Sequence, residues 1–84
     1  MKTDVKATTM TSSGTVYGAR TRVRGIVVMP TEGTATVVLS NGANPVMTFT
    51  SAIALSVPIM DDGVLFPNSV EIALTNATAV VFYG

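Results

Sequence analysis

The chain contains no cysteine, no histidine and no tryptophan. Without cysteine, no disulfide staples the fold, no thiolate acts as a nucleophile and no thiolate holds a metal. Without histidine there is no imidazole base, no imidazole ligand and no Ser-His-Asp arrangement. Charge is scarce as well. Only 12% of residues are charged, and five cations balance five carboxylates, where an ordinary soluble domain carries about 25%. No run approaches the roughly 20 apolar residues of a membrane-crossing helix. The opening Met1-Lys2-Thr3-Asp4-Val5-Lys6 has no apolar stretch behind its positive charge, so no signal peptide is expected and synthesis in the cytoplasm is.

The few carboxylates do not assemble a site. Asp61 and Asp62 are adjacent, with Gly63 behind them, and read as a turn whose side chains bond backbone N–H groups. Calcium takes about six to eight oxygens, and this run lacks the regular oxygen spacing of a loop site. Glu32 and Glu71 are isolated. Neither Gly-x-Gly-x-x-Gly nor a P-loop occurs. No enzyme, cofactor or metal is therefore expected.

What the chain does have is β-branched residues in short alternating runs. Threonine and valine dominate, and Gly, Pro, Asn and Asp punctuate them. With 84 residues, the length is that of one domain. A chain this small buries only roughly 60% of its unfolded surface, so subunit contacts are a natural supplement. The expected fold is all-β: a compact antiparallel β-sandwich or small β-barrel of about six to eight short strands. Residues 1–14 read as an N-terminal arm or an edge strand, and 15–84 as a single β-domain.

Thr15 to Met29 is too long for one strand, with bends or bulges expected at Gly18 and Gly25. Arg20, Arg22 and Arg24 share one face up to Gly25. Ile26 and Val28 then continue that parity as apolar residues, so either the environment changes there or a bulge shifts the register. Thr34 to Ser40 is a clean strand with Ala35, Val37 and Leu39 on one side. Asn41-Gly42 is a turn, its loop extending through Asn44-Pro45. Met47 and Phe49 share a face of the next strand. Ile53, Leu55, Val57 and Ile59 form the clearest inward row, on which Leu55→Asp would unfold the domain. Pro58 puts that strand at an edge or at its end. Val70, Ile72 and Leu74 alternate with polar or small residues, and Ala79 to Tyr83 is an apolar final strand.

The most distinctive charged feature is Arg20-Thr21-Arg22-Val23-Arg24. Three guanidiniums on one face repel unless something answers them. A solvated face, a carboxylate-rich protein partner and a nucleic acid phosphate are the three readings. Lys2 and Lys6 extend the patch. The absence of tryptophan and the scarcity of other aromatics argue against a base-stacking platform. If Phe82 and Tyr83 lie in one regular strand, at least one is exposed; an exposed Tyr83 is interface material, and packing under a loop is the other reading. The candidate partner-binding residues are Arg20, Arg22, Arg24, Lys2, Lys6 and Tyr83. Asn76-Ala77-Thr78 matches a glycosylation acceptor, which has meaning only along a secretory route.

The stretches Val57-Pro58-Ile59, Gly63-Val64-Leu65-Phe66, Val70-Glu71-Ile72-Ala73-Leu74-Thr75-Asn76-Ala77 and Val80-Val81-Phe82-Tyr83-Gly84 together resemble small virion structural proteins of tailed bacteriophages. Arg22-Val23-Arg24-Gly25-Ile26 and the Asn41-Gly42 turn fit the same type, and the resemblance covers residues 15–84. It implies a location on the capsid surface of the virion and a decoration or cement role, with the major capsid protein as partner. Many copies then make weak single contacts effective. A homo-oligomer is compatible with that role, while nucleic acid and membrane are not expected partners. The alternatives are a tail, neck or fibre-associated virion component, or a carbohydrate-binding surface module.

Overall fold

A computed structural model of the protein describes residues 5–59 and 63–84. Lys2 and the Asp61-Asp62 pair lie outside the described residues. The nine strands found among these are β1 (Lys6–Met10), β2 (Gly14–Tyr17), β3 (Thr21–Pro30), β4 (Ala35–Asn41), β5 (Asn44–Ser51), β6 (Leu55–Pro58), β7 (Val64–Phe66), β8 (Val70–Thr75) and β9 (Ala77–Tyr83). This exceeds the expected six to eight because the Thr15–Met29 stretch is two strands. A bend at Gly18 to Arg20 separates β2 from β3, and the two lie in different sheets.

One sheet runs β1-β9-β3-β6, with β7 also on β3; the other runs β2-β8-β4-β5. Every pairing is antiparallel. Neither path closes on itself, so no barrel forms among the described residues. β6 and β7 occupy the same side of β3, β6 against Gly25 to Val28 and β7 against Thr21 to Val23. They act as one edge strand interrupted between Pro58 and Val64. Except at the β4–β5 turn and the β6–β7 link, each connection carries the chain from one sheet to the other. The Cα radius of gyration is 12.0 Å, the size of a compact chain of this length, ~12 Å.

The core follows the period-two pattern. Ala35, Val37 and Leu39 of β4 are fully buried, as are Val70 and Val23, with Ile72 close to it. Ala77, Ala79, Val81 and Tyr83 of β9 alternate with half-buried residues on the other side of the strand. Phe66 is the largest fully buried side chain and sits in the three-residue β7. The parity change after Arg24 is a bulge. The β3–β9 register shifts between Val23 and Gly25, leaving Arg24 as the extra residue. Val23 and Ile26 therefore both face the core, while Arg24 is turned outward, half-exposed.

Three expectations need correction. Ile53 is 73% exposed and does not belong to an inward row. The Ser51 hydroxyl donates to the Ile53 carbonyl at 2.7 Å and accepts from the Ile53 N–H at 3.2 Å. These local bonds replace strand pairing there. Leu55, Val57 and Ile59 pack against the core but remain half-buried, because β6 is an edge strand, as Pro58 implied. Leu55→Asp thus acts at a half-wet position. The Asn41 loop is also shorter than expected, since only Gly42 and Ala43 link β4 to β5. Gly42 alone takes the positive φ, at 60°. Asn41 instead accepts from the N–H groups of Asn68 and Ser69 at 2.8 and 3.3 Å, pinning the β7–β8 connection.

Asn76 alone carries the chain from β8 into β9, which lie in different sheets. Its φ is 55°, in the left-handed region that asparagine tolerates better than a branched residue. Its carbonyl accepts from Thr31 N–H at 2.8 Å. Asn76→Val is expected to cost about 1–2 kcal/mol, while Asn76→Gly should stay within about 0.5 kcal/mol of the parent protein. Urea denaturation of the pair checks this; equal losses would mean that the side chain rather than the backbone angle matters.

Candidate functional site

The bulge at Arg24 and the bend before β3 bring the cations together. Lys6 of β1, Arg20 of the bend, and Arg22 and Arg24 of β3 line one pocket of ≈ 330 Å³ with Tyr17, Thr21, Leu65 and Gly84. These are all the cations among the described residues. Backbone pairing sets their positions. Gly84 N–H donates to the Arg22 carbonyl at 3.0 Å, and Ile59 N–H donates to the Arg24 carbonyl at 3.0 Å. The Arg24 Nε–H also donates to the Gly84 carbonyl at 3.2 Å, which ties that guanidinium to the end of β9.

Neither of the described acidic side chains, Glu32 and Glu71, answers these charges. The Glu71 oxygens accept from the Thr15 hydroxyl at 2.7 Å and the Ser69 hydroxyl at 3.0 Å, on the β2–β8 sheet. Glu32 sits in the exposed turn between β3 and β4. Cations and described acidic side chains are thus segregated on the molecule.

Tyr83 does not reach the surface as expected. It is 6% exposed, because the β9 alternation turns it inward and turns Phe82 outward. Its hydroxyl shares a hydrogen bond with the Thr8 hydroxyl at 2.9 Å. Its ring lies against Tyr17, with centroids 5.1 Å apart and planes inclined by 39°. Tyr83 thereby supports the Tyr17 wall of the pocket from behind. Sequence reasoning singled out the arginines and Lys6 but missed Tyr17, whose position just before Gly18 and three residues ahead of Arg20 was the available signal.

A second depression, also ≈ 330 Å³, adjoins the first. It is lined by Val5, Arg24, Gly25, Ile26, Ser56, Val57, Pro58 and Phe82. Arg24 belongs to both. The groove lies on the outer face of the β1-β9-β3-β6 sheet. Register places Ala7 and Gly25 beside Phe82, and Thr9 and Val27 beside Val80. Val27 in turn faces Ser56, and Gly25 faces Pro58. Among the described residues, this face carries no charge away from the arginines. No sequence pattern announced it, since alternate residues of four separate strands build it.

Among the described residues, no group of carboxylates or other ligands is placed to hold a metal ion. No helix is long and apolar enough to cross a membrane. The arrangement is suited to recognition through cations and an apolar surface. No protein-family model, curated protein or solved structure matches the chain.

Proposed function

We propose that this is a non-enzymatic virion structural protein that decorates and stabilises a phage capsid by binding the major capsid protein lattice. We further read its two packed sheets as a β-sandwich of the jelly-roll type. The strand order supports that reading of the fold. With β6 and β7 taken as one interrupted strand, eight strands divide equally between two sheets ordered β1-β9-β3-β6/β7 and β2-β8-β4-β5, the order of two Greek keys. Such folds serve in viral capsid and lectin domains, but a fold alone does not select a job.

The observation that carries the functional reading is the separation of surface chemistry. The described cations converge on one pocket, and an uncharged, partly apolar sheet face extends from it. A protein that only has to remain dissolved gains by interspersing its charges. One that docks gains from a desolvated apolar patch with charge at its rim. The choice of the capsid as that surface extends the expectation read from the sequence, and the jelly-roll order, which occurs in viral capsid domains, agrees with it.

Cosedimentation with phage heads stripped of accessory proteins tests this. Saturable binding at a fixed copy number per shell is expected. Failure to bind heads, with binding to tails or to a glycan instead, would overturn the decoration role.

A further inference from the structure

We infer that the basic pocket and the adjoining apolar groove form one seat for an extended acidic and apolar segment of a partner polypeptide. Its carboxylates lie among Lys6, Arg20, Arg22 and Arg24, and an apolar side chain rests on Val5, Pro58 and Phe82. This inference builds on the docking role proposed above and adds the chemistry of what docks.

Continuity is the first support. Arg24 lines both depressions, so a chain that leaves the cations enters the groove directly. Charge is the second. Guanidiniums pair bidentately with carboxylates, and neither the Glu32 nor the Glu71 side chain is engaged with them. Clustered cations repel one another until an anion arrives. Size is the third. Each depression of ≈ 330 Å³ lies at the low end of ligand cavities, about 300–1,000 Å³, with room for one or two side chains. A single nucleic acid strand needs successive aromatic platforms. Here Phe66 and Tyr83 are buried, Phe49 packs against the core and Tyr17 leans on Tyr83, which leaves Phe82 alone on the outer face. Polypeptide is the favoured partner on these grounds.

Fluorescence anisotropy tests the seat with labelled peptides. The probes alternate glutamate with leucine, glutamine with leucine, or glutamate with serine, and a thymidine oligomer is the fourth. The glutamate–leucine peptide should bind saturably and lose affinity as salt rises. Both peptide controls should bind on the order of tenfold more weakly. Arg20→Glu should weaken the first peptide by on the order of tenfold as well. Arg20 is exposed in a bend, so this change leaves the fold intact, which circular dichroism checks. Equal binding of the glutamine peptide, tighter binding of the oligomer, or indifference to Arg20→Glu would overturn the inference. Head cosedimentation of the Arg20→Glu protein separates the two levels. If heads take up parent and variant equally, this seat is wrong and decoration stands. If the peptide binds through Arg20 but heads take up neither protein, the seat stands and decoration falls.

Discussion

Phe66→Ala should lower the stability of the protein by about 3–5 kcal/mol, the cost of deleting a buried aromatic ring and leaving a cavity. Phe66 is fully buried, yet it belongs to a strand of only three residues. The local backbone has few other ties with which to close around the gap. For a domain of this size, each kcal/mol moves the melting temperature by roughly 4–8 °C. A fall of at least about 12 °C is therefore expected in a thermal melt followed by circular dichroism. A small domain holds about 5–15 kcal/mol in total, so the loss is a large share of it; Phe66→Leu, which keeps most of the volume, should recover more than half of the loss. A melt of Phe66→Ala within about 4 °C of the parent would show that β7 does not plug the core.

Gly63→Ala carries the second large effect. Gly63 has a φ of 83°, and a Cβ there would collide with the Val23 carbonyl oxygen and crowd Arg24. This is where the chain re-enters the sheet to begin β7 against β3. Gly33 is the natural control. Its φ is 59°, but the space around a Cβ at that position is open. Gly33→Ala should cost about 1–2 kcal/mol for the backbone angle alone. Gly63→Ala should cost that and about 1–3 kcal/mol more for the collision. Urea denaturation of the two variants gives the difference, and equal losses would mean that β7 shifts away without penalty. Because β7 and Arg24 meet at this point, the Gly63→Ala protein should also bind the glutamate–leucine peptide more weakly.

Much of the sheet structure was legible because the alternation of β4 and β8 is unbroken, and because Gly18, Gly25 and Pro58 mark positions where backbone geometry is constrained. The row from Ile53 to Ile59 misled for an equally physical reason. Alternation shows which residues share a side of a strand, but not whether that strand is central or at an edge. Ser51 captures the backbone of Ile53 before the strand begins, and no hydropathy pattern registers such a bond. The cation cluster was legible in part. Arg20, Arg22 and Arg24 are close in sequence, whereas Lys6 joins them only through the pairing of β1 with β9. Tyr83 was misplaced by the same limit, since its side depends on the phase of β9 rather than on its own character. The apolar groove was not legible at all, being assembled from residues far apart in the chain.

The pairing of β1 with β9 sets a clock on the making of this protein. Thr8 and Tyr83 share a hydrogen bond although 75 positions separate them. At roughly 5–20 residues per second, β1 waits some 4–15 s on the ribosome before the strand it pairs with has been synthesised. β2 waits in the same way for β8. Folding from the N-terminus is therefore blocked by topology, and the Thr-rich early segments must remain uncommitted until nearly the whole domain is available. Contacts of such long range also place the subsequent folding step in the slow, millisecond-to-second class of β-proteins.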